Sequence, residues 1–175
     1  MLQRKIATNG PVHCSARMHG MCLVAFAWNT HPRWRLVLAG NRDEFHARPT
    51  APLAAWTDSG LMAGRDLKSG GTWVGLGPRG RVAVITNVRD GLVPAFAGPS
   101  RGALPVDFLG GDSAALAHAT TLAAVAGDYA PFNLVLADAG GCAYVGNHPA
   151  SGAHAIAPGV HGLSTAWHLA ERGEE

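Results

Sequence analysis

A cysteine directly after a methionine, Met21-Cys22, opens the first apolar segment of this 175-residue chain. If translation begins at Met21, the small side chain of Cys22 permits removal of that methionine, and Cys22 becomes the first residue. A terminal cysteine carries a thiol of pKa about 8.5 beside an α-amine of pKa about 7.7–8.0, so the amine can relay a proton at neutral pH without a histidine. The alternative interpretation is that Cys22 is a small hydrophobic residue in a buried strand.

Four consecutive polar residues, Asn41-Arg42-Asp43-Glu44, follow the next apolar segment. Four adjacent polar residues are unsuited to a hydrophobic core and are typical of a catalytic or binding site. The planar fork of Arg42 can hold a carboxylate or orient a thiolate, and Asp43 can fix an α-amine through a charge-assisted hydrogen bond. The alternative is a solvated turn in which Arg42 pairs with a neighbour.

The elements that must position these residues are mainly short strands separated by Gly- and Pro-rich turns. Such even spacing is typical of antiparallel sheet. Two helices are predicted at residues 100–109 and 112–125, with Ser100 and Asp112 as their N-caps. Strands are predicted at residues 21–28, 34–39, 53–56, 61–63, 72–76, 81–86, 132–137, 142–146, 154–157 and 160–163. Strands, two helices and strands again indicate an α+β fold of packed layers.

Composition excludes several classes of protein. Hydrophobic residues make up 47% of the chain and charged residues 15%, which is too apolar for a disordered protein. The net charge is +2 and the basic residues are scattered, so no nucleic-acid partner is expected. No apolar run approaches the ~18 residues of a membrane span. The three cysteines form no C-x-x-C pair, which favours a reducing compartment and hence a cytoplasmic protein.

The nine histidines show no metal-ligand spacing, and the chain has no C-x-x-C-H haem-attachment motif. We therefore predict no metal site and no bound cofactor. Each histidine is more readily explained as a surface or hydrogen-bonded side chain than as an axial ligand.

Further short motifs follow the polar run in a fixed order: Arg48-Pro49-Thr50, Gly64-Arg65-Asp66, Gly70-Gly71-Thr72-Trp73, Ile85-Thr86-Asn87, Ser100-Arg101-Gly102, Phe132-Asn133-Leu134 and Gly162-Leu163-Ser164. Each motif is weak alone, but the ordered set resembles the NRDE family, also called the transport and Golgi organisation protein 2 family. The resemblance covers residues 21–164. It implies an N-terminal-nucleophile hydrolase-like fold, a four-layer αββα sandwich.

The resemblance also implies roles for individual residues. Cys22 matches the family's cysteine after the initiator methionine. Arg42 and Asp43 are similar to the Arg and Asp that flank the nucleophile in penicillin V acylases and bile salt hydrolases. Asn87 resembles the oxyanion-donating Asn of those enzymes, and Asn147 their second Asn. The candidate substrate-binding residues in the matching segments are Asn41, Glu44, Arg65 and Trp73.

Two functions are consistent with this resemblance. The first is a cysteine hydrolase that cleaves the amide (non-peptide C–N) or thioester bond of a small acyl substrate. The second is a non-catalytic carrier or trafficking protein whose ligand is haem, a lipid or acyl-CoA, since family members are associated with Golgi organisation and secretion in eukaryotes. Haem would then be a ligand and not a catalytic cofactor.

The chain departs from the family pattern at both ends. Residues 1–20 form a leader, interpreted as a start codon assigned too far upstream, which would block the α-amine of Cys22. Residues 165–175 form an aberrant or truncated tail, because Leu163-Ser164-Thr165 stands where the family has Leu-Ser-Asn. The predicted domain is therefore residues 21–164, and the sandwich is expected to be incomplete at its C-terminus.

Overall fold

The computed structural model describes residues 22–42, 44, 46–88, 96–164 and 170–171. Its helices are α1 (Ala103–Gly110) and α2 (Ala115–Val125). Its strands are β1 (Leu23–Trp28), β2 (Leu36–Asn41), β3 (Thr50–Ala55), β4 (Met62–Asp66), β5 (Val74–Gly77), β6 (Arg81–Asn87), β7 (Phe132–Ala137), β8 (Cys142–Gly146), β9 (Gly152–Ala155), β10 (Gly159–Ser164) and β11 (Ala170–Glu171). The predicted leader lies outside the described residues, as does most of the predicted tail.

The smaller sheet has four strands in the order β11-β10-β1-β2, all antiparallel. Strand β1 lies between β2, its neighbour along the chain, and β10, from the other end of the chain. Side chains alternate strictly along β1, with Val24, Phe26 and Trp28 buried and Leu23 and Ala25 exposed. One face of this sheet is therefore part of a core, while the other is open.

The larger sheet is an antiparallel meander of seven strands in the order β3 to β9. Both helices are inserted between β6 and β7 and pack on one face of this sheet. Ala115 and Ala119 are fully buried on α2, so this helix lies close to β8, as its small residues predict. Arg81, at the start of β6, is buried and donates to the carbonyl oxygens of Phe108 (2.9 Å) and Ser113 (2.8 Å), which ties both helices to the sheet.

Two separate cores follow from this arrangement. One lies between the helices and the larger sheet and includes Leu104, Phe108, Leu134, Leu136 and Val145. The other lies between the two sheets and is built from Val24, Phe26, Trp28, Val84, Val135, Ala137, Cys142, Tyr144, Ile156 and Leu163. The α+β prediction is confirmed, and the described residues make three layers: helices, seven-stranded sheet and four-stranded sheet.

Strand boundaries differ from the prediction by up to three residues, and the helix caps are different. Gly102 and Ala114 occupy the N-cap positions without a side-chain cap bond, so the predicted cap Asp112 was wrong. Ser100, the other predicted cap, accepts the amide hydrogen of Gly102 at its Oγ (3.3 Å), just before α1. Asp138, in the turn between β7 and β8, accepts the amide hydrogen of Ala115 instead (2.7 Å). A carboxylate brought by tertiary structure thus satisfies the first turn of α2. No helix in the described ranges is long and apolar enough to cross a membrane.

Candidate functional site

Cys22 immediately precedes β1 and is half-buried at the mouth of a cavity between the two sheets. The cavity has a volume of about 140 Å³. Asn41 holds the start of β1 in place, since its Oδ1 accepts the amide hydrogen of Leu23 (3.0 Å). The lining is mostly apolar and comprises Cys22, Val24, Leu38, Gly40, Asn41, Arg42, Trp73, Val74, Val84, Ile85 and Thr86.

Arg42 shares this cavity with Cys22 because β1 and β2 are antiparallel neighbours. Leu23 pairs with Asn41, so the residue after Asn41 comes beside the residue before Leu23. The guanidinium carbon of Arg42 lies 3.6 Å from the ring centroid of Trp73, within the range of a cation–π contact. The ring therefore fixes a cation at the mouth of the cavity that contains the thiol.

A second, larger cavity of about 370 Å³ lies on the other side of Trp73. Trp73 lines both cavities, and Asn87 lines only this second one. Along β6, Val84, Ile85 and Thr86 line the cavity of Cys22, whereas the next residue, Asn87, lines its neighbour. The second cavity is polar, lined by Glu44, Arg48, Asp66, Thr72, Trp73, Asn87, Ser100, Arg101 and Gly102.

Gly71 and Gly102 approach each other closely in the wall of the polar cavity. The amide hydrogen of Thr72 bonds to the carbonyl oxygen of Gly102 (3.0 Å). A Cβ atom on Gly71 would overlap the carbonyl group of Gly102. The Gly70-Gly71-Thr72-Trp73 motif therefore brings Trp73 against the Ser100-Arg101-Gly102 segment, and a side chain at Gly71 would separate them.

Asp66 and Arg48 form an ion pair in the polar cavity. The sequence patterns indicate a role for neither residue. Nε and Nη2 of Arg48 lie 3.1 and 2.5 Å from Oδ2 of Asp66, whose side chain is almost fully buried. Burial by itself raises the pKa of Asp66, but bonds from Arg48, the Ser69 hydroxyl and the Lys68 amide outweigh it and lower that pKa to about 2. The sequence signal was the pair Arg48 and Asp66 within two of the ordered motifs.

This pKa predicts a specific acid sensitivity. Since the pKa of Asp66 is about 2 in the folded chain and about 3.9 when unfolded, ionised Asp66 stabilises the native state fully above about pH 5, and its contribution is lost as the pH falls through 2. We expect Asp66→Asn to lower the free energy of unfolding by on the order of 2 kcal/mol at pH 7. Urea unfolding of both proteins at pH 7 and pH 3 measures this, and the gap should be smaller at pH 3; a gap that is unchanged or larger contradicts the assignment.

The other predicted site residues are not all found at the cavity that Cys22 lines. Asp43 lies outside the described residues. Arg65 pairs with Asp58 (2.9 Å) and stacks on Trp56 (4.1 Å), and it lines neither cavity. Glu44 and Asn41 line the polar and the apolar cavity respectively.

Asn147 has hydrogen bonds that connect three segments of backbone. Its Nδ2 donates to the carbonyl oxygens of Ala126 (2.7 Å) and Tyr129 (2.9 Å), and its Oδ1 accepts the amide hydrogen of Phe132 (2.9 Å). Both amide hydrogens are thus used in joining the end of α2 to the start of β7. These bonds favour a structural role, and the predicted role of Asn147 as an oxyanion donor stays a prediction.

A buried polar cluster centred on Asn133 adjoins the cavity of Cys22. Asn133 Nδ2 donates to Thr86 Oγ1 (3.4 Å) and to the carbonyl oxygen of Ser164 (3.2 Å), while its Oδ1 accepts the hydroxyl hydrogen of Tyr144 (2.7 Å). Ser164 belongs to the smaller sheet, so Asn133 connects the two sheets. Thr86 accepts this bond and keeps its own hydroxyl hydrogen for donation, which makes it a donor candidate in the cavity.

The two described cysteines differ in environment and hence in expected reactivity. Burial raises the pKa of the Cys142 thiol to about 12, so this thiol stays protonated at neutral pH. Cys22 is half-buried and reaches a cavity open to solvent. We expect iodoacetamide to alkylate Cys22 at pH 8 at least about 100-fold faster than Cys142, measured by peptide mass mapping. Faster or equal alkylation of Cys142 in the folded protein would contradict this placement.

Among the residues that the structure describes, no three His, Cys, Asp or Glu side chains are grouped so that they could hold a metal ion. The buried His161 stacks on Phe26 (5.1 Å between ring centroids), and its Nε2 lies 3.0 Å from the carbonyl oxygen of Ala157. It is thus part of the core between the sheets.

Comparisons with known proteins identify one family. A model of the family described as Transport and Golgi organisation 2 matches residues 21–174. The chain is 34% identical over 159 residues to the Transport and Golgi organization protein 2 homolog of Bos taurus and 32% identical over 159 residues to that of Homo sapiens. Each alignment covers 83% of this chain and 57% of the relative. The chain therefore spans a little more than half the length of these curated relatives.

Proposed function

Since this chain belongs to the Transport and Golgi organisation 2 family, we propose that its cavity between the sheets is the nucleophile site of a cysteine amidohydrolase or thioesterase that acts on small acyl substrates. One observation carries the proposal: the half-buried thiol of Cys22 and the guanidinium of Arg42 line one cavity between two stacked sheets. The names of the relatives specify transport and Golgi organisation, and the chemistry is our inference.

The proposed reaction begins with attack of the Cys22 sulfur on the acyl carbon. The α-amine, where Cys22 is the first residue, takes the thiol proton and delivers it to the leaving nitrogen or sulfur as the C–N or C–S bond breaks. The acyl group is then bound to Cys22 as a thioester, and water hydrolyses this thioester with the amine again as base. Arg42 is proposed to orient the sulfur, and Asp43 is the residue proposed, by resemblance, to orient the amine.

The developing oxyanion needs donors close to the sulfur. The Thr86 hydroxyl lines the same cavity as Cys22, and Asn87 is the next residue along β6. We assign the donation to Thr86, whereas Asn87, the donor that the family resemblance implies, lines the neighbouring polar cavity and stays a prediction in this role. Each such donor is worth about 2.7–4 kcal/mol of barrier where it acts.

Trapping of the acyl-enzyme tests the proposal. Incubation with p-nitrophenyl acetate is expected to add one acetyl group, which peptide mapping locates on Cys22. Cys22→Ala should abolish this modification, whereas Cys142→Ala, which removes the buried thiol, should retain it. Failure of Cys22 to acylate in a folded protein, or equal acylation of the Cys22→Ala variant, would overturn the hydrolase proposal.

The competing proposal is that the protein carries haem, a lipid or acyl-CoA and catalyses no reaction. What favours it is that the apolar cavity and the polar cavity would bind a ligand whether or not the thiol reacts. A Cys22→Ala variant that binds ligand as the wild type does, combined with an unreactive wild-type Cys22, would support the carrier.

We also propose that the complete fold is the four-layer αββα sandwich of N-terminal-nucleophile hydrolases. The support is the outer face of the four-stranded sheet, where Leu23, Val37 and Val160 are each more than half exposed. Such a face is normally covered by another layer. The curated relatives are longer than this chain, and helices from their additional length would form the fourth layer.

A further inference from the structure

Two cavities of opposite chemistry adjoin at Trp73, one apolar and one polar. We propose that the substrate is an amide or thioester that joins a compact apolar acyl group to a polar leaving group of low net charge. This inference rests on the proposed function, because it takes Cys22 as the nucleophile. It adds the chemical class of each half of the substrate.

The size of the acyl group follows from the cavity that contains Cys22. Its volume is about 140 Å³. An apolar cavity of about 150 Å³ accommodates one benzene molecule. The side chains of Val24, Leu38 and Val84 close it between the sheets. A benzoyl or hexanoyl group therefore fits, whereas a dodecanoyl chain must extend into solvent.

The chemistry of the leaving group follows from the polar cavity. Its ionisable side chains are two carboxylates, Glu44 and Asp66, and two guanidiniums, Arg48 and Arg101, whose formal charges cancel. The amide of Asn87 and the hydroxyls of Thr72 and Ser100 are also part of the polar lining. Such a cavity suits a polar amine or thiol that carries both charge signs or one charge. A polyphosphate would face two carboxylates without a matching excess of cations.

Trp73 determines where the reacting bond lies. It is the wall common to both cavities, and Arg42 is held on its ring. A substrate with its acyl group beside Cys22 reaches the polar cavity past Trp73, which lines both. The bond that breaks therefore lies at Trp73, so that the leaving group departs with its proton on the polar side while the acyl group stays on sulfur.

Two series of acyl amides are assayed with the chain that begins at Cys22, and the first, with glycine as the common leaving group, tests the size of the acyl group. We expect kcat/KM to be greatest for benzoyl and hexanoyl, and about tenfold lower for dodecanoyl. Leu38→Ala enlarges the cavity and should shift the preference toward longer chains by about tenfold. Leu36→Ala is the matched control, because Leu36 lies two residues away on β2, is likewise half-buried and does not line this cavity. Rates that rise steadily with chain length in the wild type would overturn the proposal, even where Leu38→Ala fails to fold.

A second series tests the leaving group with the acyl group fixed as hexanoyl. The glycine amide should be cleaved about tenfold faster than the butylamine amide, which leaves the polar groups of the cavity without partners. It should also be cleaved faster than an amide whose amine carries a triphosphate. Equal rates for glycine and butylamine, or a preference for the triphosphate, would overturn this half of the proposal.

Binding of ketone analogues separates this inference from the proposed function. Each analogue replaces the amide NH by CH2, and its affinity for Cys22→Ala is measured by calorimetry. Affinities that follow the expected size order, with an unreactive Cys22 in the wild type, would support the ligand class and refute the hydrolase. Acylation of Cys22 with no size order in rate or affinity would refute the ligand class alone.

Discussion

Removal of residues 1–21, so that Cys22 becomes the first residue, is expected to increase hydrolytic turnover by about 10²–10⁴-fold, the usual contribution of a positioned general base. In the chain that begins at Met1, the nitrogen of Cys22 is part of a peptide bond and cannot take a proton. Attack by the thiol on an activated ester is still expected there, since p-nitrophenolate leaves without protonation. Amide substrates, whose leaving nitrogen needs a proton, should be cleaved only by the shorter chain.

The measurement is steady-state turnover of an acyl amide by both chains, with N-terminal sequencing to verify the first residue. Cys22→Ala in the shorter chain is the control and should reduce turnover to background. Equal turnover by both chains, with mass spectrometry showing residues 1–21 still attached in the longer one, would contradict the role of the amine. The Cys22 thiol could remain the nucleophile in that case, with another group as the base.

Asn133→Leu is expected to lower the free energy of unfolding by about 3 kcal/mol, because it removes three hydrogen bonds that a buried amide side chain makes. The Tyr144 hydroxyl loses its acceptor, and the Ser164 carbonyl and Thr86 hydroxyl lose a donor. Leu has a similar size, so the loss reports the hydrogen bonds more than a change of packing.

Urea denaturation measures this effect, and Tyr144→Phe provides the comparison. Tyr144→Phe removes one of the three bonds and should cost about 1–2 kcal/mol. Because the two residues contact each other, the double variant should cost less than the sum of the single ones. A loss below about 1 kcal/mol for Asn133→Leu would show that water replaces the missing partners and that the cluster is not essential to the junction of the sheets.

Local patterns were sufficient to predict most strands, and the pairing of the first two strands is what brings Cys22 beside Arg42. The apolar segments on either side of His31-Pro32-Arg33 form a hairpin, and antiparallel pairing then brings the residue before β1 beside the residue after β2. The small residues Ala115 and Ala119 likewise allow α2 to approach the sheet closely. These features depend on neighbours along the chain, which a sequence displays directly.

Features that depend on tertiary contacts could not be predicted in this way. Asp138 caps α2 from a distant turn, where sequence reasoning expected Asp112. Asn87 and Thr86 are adjacent in the sequence but line different cavities. Arg65 is directed to Asp58 and Trp56, which the motif around it does not indicate.

Buried polar side chains are the features of this fold that the sequence patterns reveal least. Asp66 and Asn133 each lie in one of the ordered motifs, but neither motif indicates a role for the residue. Their partners are distant in the sequence, since Asn133 bonds to Thr86 and Ser164. A polar residue in an apolar strand is itself a signal, because burial without partners is costly.

The pairing of β1 with β10 has a consequence for the order of events during synthesis. Each strand of the seven-stranded meander pairs with its predecessor in the chain, so this sheet can assemble as the chain emerges from the ribosome. Strand β1 must wait for β10, whose residues are made more than a hundred positions later. The edge of β1 that pairs with β10 is therefore expected to be completed only late in translation, and pulse-labelled hydrogen exchange should detect protection of β6 and β7 before that of β1.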